Sequence, residues 1–266
     1  MNVFLFLGCS FTWGEGLQYY SGLPTVVFHE RHTFSPSEIT YPQYQFIRKN
    51  RFAGLVSTKA NGIDIVQANN GGNNGDNIYY LIEKTKENVH NSDVLRLDKE
   101  TAFKKEEITH IVIQFTEIYR DKFESMGAEK DWSRQQQYDY CVERGISALD
   151  FEKDGIRYIL RKYLEKLQPY IEIGVKVGFL MWHHVGWYDV INEDEFSYIK
   201  ENLIKIKDKE AEYISFWDFT DNGSRYSIQT DFAKQGYQHG DSHISLEGHK
   251  IIAESIYTKF FSNIYT

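Results

Sequence analysis

A serine that closes an apolar run and sits among glycines can do one of two things. Residues 4–16 read FLFLGCSFTWGEG, which places Ser10 just past a buried run and ahead of a glycine-punctuated turn. It is either a helix cap or a nucleophile held out at a strand's carboxyl end. A serine hydroxyl attacks poorly at neutral pH. It needs a histidine to take its proton, and the histidine needs a carboxylate to orient it. Such a pair stands near the far end of the chain, in GDSHISLEGHK, where Asp241 and His243 are two residues apart just before a final helix. Ser10 and His243 are 233 positions apart, so only a closed fold brings them together. Acyl chemistry also needs donors for a developing oxyanion. Backbone N–H groups of a glycine loop can serve, because glycine lets the chain approach a substrate closely. The stretch NNGGNNGDN, residues 69–77, supplies such a loop.

The elements that must position these groups follow from hydrophobic patterning. Apolar runs of strand length cover 2–7, 63–66, 108–115, 175–182 and 213–219. Helical spacing covers 44–59, 78–88, 151–167, 195–206 and 246–261. Strand and helix alternating about five times imply an α/β fold, a parallel sheet with helices on both faces. Such sheets bind ligands beyond the carboxyl ends of their strands. Ser10, the 69–77 loop and Thr116 all fall at those ends. Residues 17–40 read as a long loop, and 89–106 and 120–150 as polar insertions. The whole chain, 1–266, is therefore expected to be a single domain with insertions at 17–40, 89–106 and 120–150.

Three blocks in order carry a family resemblance. They are Gly8-Cys9-Ser10 after the first strand, Asn70-x-Gly72-x-x-Gly75 after the second, and Asp241-x-His243 followed by Ser245-Leu246-Glu247-Gly248-His249. The chain resembles SGNH/GDSL-type hydrolases, esterases and acetylesterases among them. The resemblance implies a flavodoxin-like three-layer α/β/α sandwich with a mainly parallel sheet of about five strands. It also implies hydrolysis of acyl esters without a cofactor. Carried over by position, Ser10 is the nucleophile, His243 the general base and Asp241 its orienting carboxylate. The N–H groups of Ser10 and Gly75 are the oxyanion donors. His249, inside the closing helix, reads as structural.

The pattern is not complete. The family's third block is commonly G-x-N-D, with the Asn side chain donating to the oxyanion. Here Gln114-Phe115-Thr116-Glu117-Ile118-Tyr119-Arg120 follows the third strand, and Ile118 stands at the donor position. Losing one such donor costs on the order of 2.7–4 kcal/mol. Thr116, Asn74 or Asn77 could substitute, or the site could be weakened. Cys9 replaces the usual Asp, and a residue adjacent to Ser10 in an extended chain points elsewhere. Glu117 and Arg120 could pair with each other or bind a polar substrate. His183, at the end of the fourth strand, either lines the pocket or is an ordinary loop residue. HERH (29–32), WHH (182–184) and His239 with His243 hint at metal binding. Zinc requires three or four convergent ligands, and no HExxH helix is present, so no metal is expected.

Composition narrows the classes further. A formal net charge of -8 with no long Lys/Arg run argues against nucleic acid as a partner. Hydrophobic residues make up 41% of the chain, enough for a large core, and aromatics 16%. The aromatics serve packing first and a carbohydrate-facing surface second. Two cysteines are too few for a disulfide framework. The apolar start lacks a basic region and is too short for a signal peptide or a membrane span. The expectation is a protein of the cytoplasm or another soluble location, with no membrane partner. Its substrate would be a small-molecule or carbohydrate ester. Two alternatives remain open: a weakened site serving as a binding or structural module, and acyl transfer to an alcohol by the same residues.

Overall fold

Strand β1 (Asn2–Cys9) is buried from Val3 onward, on both faces. That is the signature of a strand covered by helices on both sides. In the structure, a computed structural model, β1 pairs in parallel with β2 (Gly62–Asn69), from Asn2↔Gly62 to Cys9↔Asn69. On its other side it pairs in parallel with β3 (His110–Gln114), which pairs in parallel with β4 (Lys176–Leu180). The described residues are 1–23, 40–69, 72–81, 89–90, 102–103, 105–118, 121, 134–181, 186–206, 226, 231 and 243–262. The strand order among them is β2-β1-β3-β4. That is four strands where about five were expected. The expected strand at 213–219 lies outside the described residues. Beyond β4, Leu203 makes a single parallel bridge to Phe179.

Helices cover both faces and make three layers. On one face the ring of Phe6 meets Phe52 of α3 (Phe52–Lys59) edge-on at 5.9 Å. On the same face Phe4 meets Phe261 of the closing helix (Leu246–Phe261) at 6.3 Å. On the opposite face Phe115, just past β3, packs on Tyr163 of the long helix Ala148–Ile171 at 5.6 Å and stacks on Trp187 at 4.7 Å. No helix among the described residues is long and apolar enough to cross a membrane.

The chain leaves β1 for β2 on one side, then returns past β1 to β3 on the other. Connections that diverge in this way open a crevice at the carboxyl ends of β1 and β3, where doubly wound sheets bind ligands. Ser10, Thr116 and the start of the helix after β2 all border it.

Several boundaries differ from the sequence reading, each for a local reason. The helix expected over 44–59 is two, α2 (Tyr41–Asn50) and α3. Arg51 between them is extended (φ -66, ψ 152), because its buried guanidinium turns inward to Asp64 of β2. The kink also brings Arg48 O to within 2.0 Å of where a Cβ on Gly54 would lie, so only glycine fits there. The helix after β2, α4 (Asn74–Tyr79), begins inside the expected loop. Asn73 caps it by accepting the Asp76 N–H at 2.8 Å, and Asp76 accepts the Asn73 N–H in return. The helix expected over 195–206 is shorter (Ser197–Glu201), and the chain then runs beside β4, where Ile204 N–H donates to Phe179 O at 2.8 Å. The stretch 120–150 contains a helix, α5 (Arg134–Arg144), and the first turn of α6 (Ala148–Ile171), capped by Ser147. Within 89–106, Val89–His90 and Ala102–Phe103 form a short antiparallel ladder.

Candidate active site

Ser10 is not a cap. The extended residue before the helical turn α1 (Ser10–Trp13) is Cys9, and no side chain caps that turn. Ser10 is its first helical residue, so its N–H has no intrahelical partner. Gly14 closes the turn in the left-handed region (φ 91). The N–H groups of Gly14 and Glu15 both donate to Ser10 O at 3.0 Å. One side chain fastens the turn to the neighbouring strand. Gln114 Oε1, at the end of β3, accepts from Thr12 Oγ1 at 2.7 Å and from Cys9 N–H at 3.4 Å. Gln114 Nε2 donates to Phe115 O at 3.1 Å and to Cys9 Sγ at 3.3 Å. The Cys9 thiol is thus engaged with β3. Gly8 is what allows this close approach, since a Cβ there would lie 2.1 Å from Thr12 Oγ1 and 2.7 Å from Gln114 Oε1.

The fold brings His243 to this turn. His243 Nε2 lies 3.0 Å from Ser10 Oγ. Ser10 is 7% and His243 8% exposed, so the pair meets almost out of water. The ring of Phe11 packs at 4.9 Å from the imidazole. His243 arrives just ahead of the closing helix (Leu246–Phe261), whose start is fixed by Ser245. The Ser245 hydroxyl accepts the Gly248 N–H at 3.2 Å, and its own N–H donates to Tyr226 O. Asp241, expected to orient the ring, lies outside the described residues, as do Arg120 and His183.

A carboxylate that sequence reasoning missed stands at the same place. Glu15 is 3% exposed, and its Oε2 lies 3.5 Å from His243 Nε2. Its position in the Gly14-Glu15-Gly16 turn, five residues past the serine, was the available signal. A turn that bonds Glu15 N–H to Ser10 O folds the glutamate back beside Ser10.

The loop after β2 is committed to holding the site together. Asn74 Nδ2 donates to Asp121 Oδ2 at 2.7 Å and to Thr116 O at 3.2 Å, while Asn74 Oδ1 accepts the Thr116 N–H at 3.2 Å. Asn77 Nδ2 donates to Gln114 O at 3.2 Å and to Tyr163 Oη at 3.0 Å. Tyr163 in turn donates to Asn74 Oδ1 at 3.1 Å. These asparagine amides therefore tie α4 to the end of β3 and to α6. The Gly75 N–H, expected to face an oxyanion, donates to Asp121 Oδ1 at 2.9 Å. Asp121 was also missed, and only its place shortly after β3 could have suggested it. Burial pushes its carboxyl up to about 7, although the bonds from Asn74 and Gly75 pull the other way. Ile118, at the expected donor position, is buried and has nothing to donate. The Thr116 hydroxyl is buried without a partner among the described residues, which leaves it an uncommitted donor at this edge. Glu117 is half-buried.

His249 is used in packing. Its Nδ1 accepts the Phe52 N–H at the start of α3 at 3.2 Å, and burial lowers its pKa to about 3, which keeps it neutral. Among the described residues no three His, Cys, Asp or Glu side chains converge as metal ligands.

No protein-family model and no curated protein matches the sequence. Solved structures similar to the chain are lipolytic proteins, esterases and carbohydrate esterases. One, described as a lipolytic protein of the G-D-S-L family, is from Desulfitobacterium hafniense DCB-2 (11% identity, 98% of this chain and 100% of that one, TM-score 0.45). Another is the psychrotrophic esterase EstA from Pseudoalteromonas sp. (13% identity, 100% of both chains, TM-score 0.42). A third is the acetyl xylan esterase Est2A from Butyrivibrio proteoclasticus (9% identity, 99% of this chain but 64% of that one, TM-score 0.49). At such identities the likeness is one of outline, and the chemistry has to come from this chain's own side chains.

Proposed function

We propose that the chain is a serine-dependent hydrolase of small acyl esters, acting through an acyl-enzyme. The observation that carries this reading is the 3.0 Å approach of His243 Nε2 to Ser10 Oγ in a nearly dry setting. Ser10 Oγ attacks the ester carbonyl carbon as its proton passes to Nε2. The oxyanion that forms takes the Ser10 N–H, with the Thr116 hydroxyl as the second donor in place of an asparagine. The imidazolium then protonates the departing alcohol. Water repeats the cycle on the acyl-enzyme, giving its proton to Nε2 and releasing the acid. Asp241 is assigned the orienting role at the ring's other nitrogen. The small exposure of Ser10 favours a short acyl group, and an O-acetyl group on a sugar is the substrate class to try first. Ser10→Ala is expected to cut turnover of a short-chain aryl ester by roughly 10³-fold or more. Full activity in that variant overturns the reading.

A second reading has its own observation. The Gly75 N–H already carries the Asp121 carboxylate, and Ile118 stands where a donor is expected. A site so short of donors suits a binding or structural module that has kept the dyad and lost the rate. Acyl transfer to an alcohol uses the same residues and differs only in what attacks the acyl-enzyme. Product analysis with a sugar acceptor separates it from hydrolysis.

A further inference from the structure

We propose that Glu15 is a positioning residue for this reaction, acting through His243 by holding the charge that its ring acquires. This deepens the reading above and rests on it. Ser10 Oγ and Glu15 Oε2 both face the same nitrogen, at 3.0 and 3.5 Å. While Nε2 carries a lone pair, ready to accept the serine proton, the nearby carboxylate gains nothing from it. Once the proton has moved, the same carboxylate faces an imidazolium. The interaction thus appears with the charge-separated state and is weak before it, which is the kind of contact that speeds a reaction. Burial of both groups keeps water from screening it.

The other charged groups around the ring strengthen the case. On the closing helix the neighbouring His249 is neutral, so it offers no counter-charge. Behind it, Arg51 at the α2–α3 junction is a cation paired with Asp64, and its charge helps to keep His249 neutral. Phe11 contributes an aromatic wall. Asp241 is assigned to the ring by sequence position and lies outside the described residues. Of the described side chains around the ring, Glu15 is the anion at Nε2. The step balances without it taking the proton. The Oγ–H bond breaks and the Oγ–carbon bond forms while the proton rests on Nε2; the carbon–oxygen bond to the departing alcohol then breaks as that oxygen takes the proton, and Glu15 neither gives nor takes one.

The test is Glu15→Gln, which keeps shape and removes charge, beside Glu15→Asp, which keeps charge. The acid limb of the kcat/KM profile for a short-chain aryl ester reports proton loss from the base in free enzyme. Removing the carboxylate makes the imidazolium harder to form. The limb is therefore expected to move to lower pH in Glu15→Gln, with kcat falling roughly tenfold or more and KM little changed. Glu15→Asp should restore much of both. The His243 ring, titrated by NMR in Ser10→Ala and assigned with His243→Ala, should lose its proton at lower pH when Glu15→Gln is added. This readout does not depend on turnover. An unmoved ring titration and an unmoved limb overturn the role of Glu15, even if activity drops through misfolding. If wild-type protein neither hydrolyses the ester nor reacts at Ser10, the hydrolase reading fails instead, and the ring titration still decides whether Glu15 and His243 are coupled.

Discussion

Gly8 must lack a side chain so that Thr12 and Gln114 can close over it. Gly8→Ala is expected to displace the turn that carries Ser10, costing on the order of 1–3 kcal/mol and most of the ester turnover. A thermal melt alongside an activity assay checks both. Asp121 keeps a carboxyl buried among N–H donors, with its pKa raised to about 7 from an ordinary 3.8. A raised carboxyl means that the folded state holds a proton which the unfolded chain has already released. Its contribution to stability is therefore present below about pH 4 and is lost as pH rises towards 7, at about 1.4 kcal/mol per pH unit. The difference between wild type and Asp121→Asn in denaturant melts across that range should show this slope. A flat difference contradicts the assignment. His249 works in the other direction. Its pKa, lowered to about 3, makes the folded state refuse a proton that the unfolded chain accepts below about 6.5. Stability is lost as pH falls through that window, and His249→Asn, which keeps an acceptor for the Phe52 N–H, should remove that part of the acid sensitivity.

At the scale of elements, what the sequence made legible followed from period. The apolar runs at 2–7 and 108–115 and the spacing at 246–261 each mark an element whose burial is fixed by its own pattern, and each appears in place. What could not be read depends on partners far along the chain. The break at Arg51 exists because a guanidinium is drawn to Asp64, 13 residues on, with Ser57 Oγ also bonded to that carboxylate at 3.1 Å. No periodicity reports such a pull. The start of α4 was hidden for a different reason. Asparagine and glycine read as loop formers, yet Asn73 is a cap and Asn74 and Asn77 are the bolts behind it. The Arg51–Asp64 pair is buried, with side chains 0% and 10% exposed, so removing one partner strands a charge. Asp64→Asn is expected to lower the unfolding free energy by about 3–5 kcal/mol, read from urea melts. A loss below about 1 kcal/mol contradicts a structural role for the pair.

For the molecule as a whole, the strand order β2-β1-β3-β4 does the work that the sequence could only ask for. The opening turn follows the central strand, and the closing helix packs on the sheet so that the residue ahead of it reaches that turn. Ser10 and His243 could be proposed from sequence as a nucleophile and its base because their residue types and order suit that pairing, and the 3.0 Å approach is consistent with it. Glu15 and Asp121 could not, since an isolated acid among glycines or after a strand looks like any solvated charge. Their importance comes from burial, which is a property of the closed fold. Activation of the Ser10 hydroxyl by His243 can be read out by active-site labelling. A fluorophosphonate is incubated with folded wild type and with His243→Ala, and the modified peptide is mapped by mass spectrometry. Activation by His243 predicts stoichiometric phosphonylation at Ser10 in wild type and a reaction roughly a hundredfold or more slower without the imidazole. No adduct on folded wild-type protein, or an adduct at Ser10 formed equally fast in His243→Ala, would contradict it.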